Sequence, residues 1–194
     1  MEAVPRAEWA FPLEVGVHVE SFYSAMSEQL TREVLQALCE DAQLLAFLGR
    51  HPLGRLEFSD RLLEHDWLGA FVPSTRELVL NSRRPADTYG REFYPPDLKS
   101  FSNAGNTIAE AMQRSLYHEL GHYLLDSAGP ETERHVLRLL QSGRAMPISR
   151  RARRSSAEYF AETFAAYRFE PSLADKDPEG YDMVEAIIQM VWKK

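Results

Sequence analysis

Five residues in the middle of the chain, His118-Glu119-Leu120-Gly121-His122, constrain its fold more than any other stretch. The pattern is H-E-x-x-H, and it makes chemical sense only on a helix. Side chains four apart on a helix project from one face, one turn apart. Both imidazoles can then reach a single metal ion at about 2.0–2.1 Å. Glu119 is placed to take a proton from water at that metal, the general-base role in zinc-dependent hydrolysis. The flanking residues supply the helix. Thr107-Ile108-Ala109-Glu110 is a T-x-x-E capping box. Apolar residues recur at helical spacing from Ile108 to Leu125, and Gly129-Pro130 closes the segment. Gly121 interrupts this pattern at a cost of about 1 kcal/mol of helix propensity relative to Ala. Close approach of another backbone near the metal is a physical reason to keep it. The competing reading is a surface helix with solvated histidines. Two imidazoles do not hold zinc firmly, so the metal reading demands a third ligand.

The rest of the chain narrows the class. At 194 residues it is read as one domain over 1–194, with a core of about 28–192 and an N-terminal extension over 1–25. A net charge of −7 argues against general nucleic-acid binding. The single cysteine, Cys39, excludes an intrachain disulfide and a multi-cysteine zinc site, and reads as a core residue. No apolar run approaches the length of a membrane span. The N-terminus lacks a basic flank and apolar core of a signal peptide, so synthesis in the cytoplasm is expected. Export or delivery into a target cell would then use no recognisable N-terminal signal.

In order, the pattern predicts a short strand around Val15–Val19, a helix over 28–49 and a strand at Leu56-Glu57-Phe58. Residues 67–72 and 77–81 flank Pro73-Ser74-Thr75-Arg76 and form a hairpin. An exposed edge strand just before the metal helix can hold an extended peptide, although a purely structural hairpin fits equally well. Residues 82–106 have no periodicity, and Tyr89 and Tyr94 are candidate cleft aromatics there. A helix over 131–142 carries an apolar stripe of Val136, Leu137, Leu139 and Leu140. Arg150-Arg151-Ala152-Arg153-Arg154 reads as a solvated loop, with a docking patch for an acidic partner or a clamp for substrate carboxylates as alternatives. Helices over 155–169 and 181–192 complete the chain. His18, His51 and His65 read as surface or loop residues, and His135 falls on the helix over 131–142. The fold class expected is α+β: a small mixed or antiparallel sheet with an edge hairpin above the H-E-x-x-H helix, then a mainly helical C-terminal half.

The helix over 155–169 is the second chemically informative element. Glu158 and Glu162 lie one turn apart, alongside Ala161, Ala165 and Ala166. Small residues there permit close approach to a neighbouring helix. Carboxylates buried on such a face need a partner, and a zinc dication is one. The bland readings are a capping-box glutamate for Glu158 and a solvent-facing charge for Glu162.

H-E-L-G-H followed by Glu-x-x-x-Glu on a later helix resembles the gluzincin class of zinc metallopeptidases. Within it, Glu158-Tyr159-Phe160-Ala161-Glu162 is similar to the E-F-F-A-E stretch of anthrax-lethal-factor-like peptidase domains. The resemblance implies a zincin-like fold and one Zn2+ per chain. It implies His118, His122 and Glu158 as ligands, Glu119 as base and Glu162 as the carboxylate that orients a ligand histidine. It also implies a protein or peptide substrate. The chain departs from the family upstream of the ligand glutamate, where a tyrosine is replaced by an arginine-rich run. Tyr94, Tyr89 and Arg151 are the candidates for that tyrosine's stabilising role. A non-catalytic zincin-fold module with a structural zinc, or a zinc amide hydrolase on a non-protein substrate, fits the same residues.

Overall fold

Alternating apolar residues build a small sheet, and one long helix beneath it organises everything else. The computed structural model describes residues 25–59, 68–82, 101 and 107–192, together with the backbone of 17–19. Strands β1 (Val17–Val19), β2 (Arg55–Ser59), β3 (Gly69–Val72) and β4 (Glu77–Asn81) lie in the order β1-β2-β4-β3. β1–β2 and β2–β4 are parallel, while β3–β4 is the antiparallel hairpin over the Pro73–Arg76 turn. The sheet is therefore mixed, as the α+β reading expects. Leu56 and Phe58 of β2, with Leu78 and Leu80 of β4, point into the core. Period-two alternation puts them on one face. β3 is the outermost described strand on the hairpin side.

The stretch over 28–49 is not one helix. It divides into α1 (Ala25–Glu40) and α2 (Ala42–Arg50) at Asp41. The Asp41 carboxylate accepts the Leu44 N–H at 3.0 Å, an N-cap that restarts the helix. It also takes the Tyr117 hydroxyl at 2.8 Å and the Arg168 guanidinium. The apolar spacing runs on across the break, which is why periodicity alone reads as one element.

The H-E-x-x-H helix, α3 (Ile108–Ala128), is central. It contacts α1, β3, β4 and every later long helix. Thr107 accepts the Glu110 N–H at 3.1 Å, as the capping box requires. Gly129 ends the helix in a left-handed conformation at φ 90°, and Pro130 opens α4 (Pro130–Gln141). On α4 only Val136 is fully buried, and Leu137 is exposed rather than part of a core-facing stripe. Ser155 caps α5 (Ser156–Phe169) through the Glu158 N–H at 3.1 Å.

A short helix, α6 (Leu173–Lys176), precedes α7 (Pro178–Trp192), which starts earlier than its apolar pattern suggests. Buried Asp177 explains the start. Its carboxylate accepts the Gly180 N–H at 3.2 Å, the Met146 N–H at 3.0 Å and the Tyr159 hydroxyl at 2.7 Å. Among the described residues no helix is long and apolar enough to cross a membrane.

Candidate metal centre

A close backbone approach between α3 and α5 lies beside the two histidines. A Cβ built on Gly121 would stand 2.8 Å from Ala161 Cα and 3.4 Å from Ala161 Cβ. A glycine on α3 facing an alanine on α5 lets the two backbones nearly touch. This is the reason for the glycine within the H-E-x-x-H helix. Ala161 lies between Glu158 and Glu162, so the contact brings both carboxylates to the imidazoles.

Three donor atoms converge there. His118 Nε2 and His122 Nε2 are 3.2 Å apart. Glu158 Oε2 is 3.3 Å from His118 Nε2 and 4.0 Å from His122 Nε2. Tetrahedral ligands at about 2.0–2.1 Å from a cation would stand roughly 3.3–3.4 Å from one another. The observed separations bracket that spacing, so this donor set of two nitrogens and one oxygen fits a dication. It is the one such group of three among the described residues.

Glu162 stands behind the three candidate ligands. It is fully buried, with Oε1 2.9 Å from His118 Nδ1 and lying off the N–H axis. Oε2 accepts the Phe101 backbone N–H at 2.5 Å and the Ser149 hydroxyl at 2.6 Å. A carboxylate at Nδ1 keeps that nitrogen protonated and leaves Nε2 as the lone-pair donor of the neutral ring. Burial disfavours a charged His118, yet Glu158, Glu162 and Glu119 outweigh it and raise its pKa to about 9. Burial and the adjacent His118 hold His122 down to about 3. Without a metal, the His118 imidazolium and the Arg151 guanidinium together answer the surrounding carboxylates. Burial would raise Glu158, but hydrogen bonds from His118 and Arg151 hold it well below the usual carboxylate range.

Glu119 is buried on the wall of a cleft of about 490 Å³ that is also lined by Gly69, Phe71, His122, Arg151 and Glu158. Burial pushes its pKa up, partly offset by His118, Arg151 and a hydrogen bond from the Phe71 backbone. β3 passes so close that a Cβ on Gly69 would meet Glu119 Cγ at 2.8 Å. A glycine inside a β-rich run often marks such a close backbone approach, and that signal was present in the sequence.

Arg151 is not solvated like its neighbours. Its Nε donates to Glu158 Oε2 at 2.6 Å, and Nη2 lies 3.4 Å from Oε1. Arg150, Arg153 and Arg154 are exposed, whereas Ala152 between them is fully buried. Tyr89 and Tyr94, like His65, lie outside the described residues. His51 falls in the loop after α2, its carbonyl accepting the Tyr123 hydroxyl at 2.7 Å, and His135 is exposed on α4. Phe101 and Ser149, the partners of Glu162, carry no local sequence signal, because their role depends on contacts 61 and 13 residues away. No protein-family model matches the chain, and no curated protein matches it.

Proposed function

We propose that the protein is a zinc-dependent metallopeptidase, with His118, His122 and Glu158 as metal ligands and Glu119 as general base. The observation that carries this reading is the buried Glu119 beside the convergent donor set, on the wall of a cleft edged by an outer strand. A dication held by such ligands supplies Lewis acidity, lowering the pKa of water and polarising a carbonyl. The chain's own groups do the rest. A Glu119 carboxylate oxygen, made more basic by burial, accepts the proton of the attacking water and returns it to the leaving nitrogen. Arg151 keeps Glu158 in place and turns its remaining N–H donors toward the cleft, where they stabilise the developing oxyanion. An extended substrate pairs its main chain with the outer edge of β3. Glu162 fixes the tautomer of His118.

Glu119→Gln tests the reading. With a peptide library as substrate, new N-termini should form with the wild type and not with the variant, while zinc content stays the same. Turnover retained in the variant removes Glu119 as base. One observation favours a second reading, a non-catalytic module on the same scaffold: the Arg151 guanidinium already neutralises Glu158. In that case neither protein generates new N-termini although zinc is bound.

A further inference from the structure

A second cavity, of about 520 Å³, is lined by residues that flank Ser149 and Arg151, the partners of Glu162 and Glu158. Its volume falls within the usual range for small-molecule sites. The apolar lining includes Phe101, Met146, Pro147 and Ile148. Met146 is 60% exposed, one of two exposed large hydrophobic residues among the described ones. Among the described residues the polar lining is Arg153, Lys176 and Glu170. Lys176 and Glu170 pair at 3.3 Å and cancel. Arg153 has no carboxylate partner among the described residues and is exposed. An apolar trough with one uncommitted guanidinium selects an apolar body carrying a single anionic head, which a planar N–H fork binds bidentately. That local cation stands out in a chain of net charge −7.

The trough and the metal centre share a wall. Residues 145–148 and 153 line the trough. Between them, Ser149 donates to Glu162 at 2.6 Å and Arg151 to Glu158 at 2.6 Å. Phe101 lines the trough and donates its backbone N–H to Glu162 at 2.5 Å. A ligand that holds this wall also holds the groups that position Glu158 and Glu162, which couples the two sites positively.

We propose that the trough binds an anionic amphiphile of the fatty-acid type, with its carboxylate on Arg153 and its tail along Phe101, Met146 and Ile148, and that its occupancy tightens the metal centre. The coupling rests on the metal-centre reading; the binding does not. Decanoate is the probe, titrated calorimetrically into the full chain, first metal-free and then loaded with one equivalent of Zn2+ and freed of excess. The wild type should show saturable binding of one decanoate. Arg153→Gln, Arg153→Glu and Met146→Asp should each weaken it about tenfold or more. Decyltrimethylammonium, with the same tail and the opposite charge, should bind at least tenfold more weakly than decanoate. Loaded protein should bind decanoate about fivefold more tightly than metal-free protein, at the lower end of common coupling factors. Both altered side chains are exposed, and unchanged circular dichroism confirms folding of each variant. No saturation, equal binding of the two amphiphiles, or indifference to all three substitutions overturns the site. An Asp/Glu/Leu-rich peptide that binds through Arg153 where decanoate does not overturns the ligand class in favour of a protein segment. Equal affinity of loaded and metal-free protein overturns the coupling alone. Failure of the Glu119→Gln test leaves every decanoate result standing.

Discussion

Gly121→Ala separates two opposing effects at the helix contact that forms the proposed metal centre. Alanine in place of glycine within a helix gains about 1 kcal/mol of propensity. Against that, the new Cβ would stand 2.8 Å from Ala161 Cα, part of the rigid backbone of α5. Restoring ordinary contact at about 3.6–3.8 Å requires α5 to withdraw by most of an ångström. Overpacking of this kind typically costs about 1–3 kcal/mol. The net is a loss of about 0–2 kcal/mol, or up to roughly 8 °C in Tm for a chain of this size. The larger effect falls on the metal. Ala161 sits between Glu158 and Glu162, so the withdrawal carries Glu158 away from an imidazole nitrogen now 3.3 Å distant. Metal–ligand bonds tolerate only about 0.2 Å, so zinc affinity should fall at least tenfold. Competition against a chromophoric chelator gives the affinity, and calorimetric melting of the metal-free protein gives Tm. A Tm raised by a few degrees with zinc affinity within twofold of wild type would refute the reasoning, because helix propensity would then be acting alone.

Two further predictions use the same site. Gly69→Ala would press a methyl against Glu119 Cγ at 2.8 Å. It should lower kcat about 100-fold, the effect of a displacement near 1 Å, while leaving about one zinc per chain by elemental analysis. Zinc uptake at pH 7 should release close to one proton, because His118 with a pKa near 9 must deprotonate whereas His122, held near 3, is already neutral. Calorimetry in buffers of different ionisation heat counts that proton, and the share owed to His118 should vanish as pH rises through about 9, leaving only protons released by metal-bound water. In the metal-free chain the sign for folding follows from the same shift. A histidine raised from 6.5 to about 9 contributes stability that is fully present below pH 6.5 and lost as pH rises through 9. The Tm of the metal-free protein should therefore decline between pH 6.5 and 9.5; a flat profile counts against the His118 ion pairs.

The parts of this site that follow from local pattern were legible in the sequence. H-E-x-x-H needs a helix, and Thr107, Glu110 and Gly129 mark its ends by chemistry confined to one turn. The hairpin followed from two β-rich runs around a four-residue turn. Asp41 was harder, because the apolar spacing continues through it and only the side-chain cap reveals the break. The return of α5 onto α3 was foreshadowed by small residues on both helices, although the sequence left open which neighbour they approached. Arg151 was a candidate for the missing tyrosine's role, but its pairing with Glu158 was not legible. Four arginines occur within five residues, and only the fold turns one of them inward onto Glu158. Phe101 and Ser149 were equally silent, since a backbone N–H and a loop serine gain their meaning only from a carboxylate folded against them.

The most direct test of the centre is zinc stoichiometry by equilibrium dialysis on the full chain, compared among wild type, His118→Ala and Glu158→Ala. Two helices that jointly supply the ligands predict about one tightly held zinc in the wild type and none in either variant. A wild type that holds none, or a Glu158→Ala variant that still holds one with undiminished affinity, would contradict it.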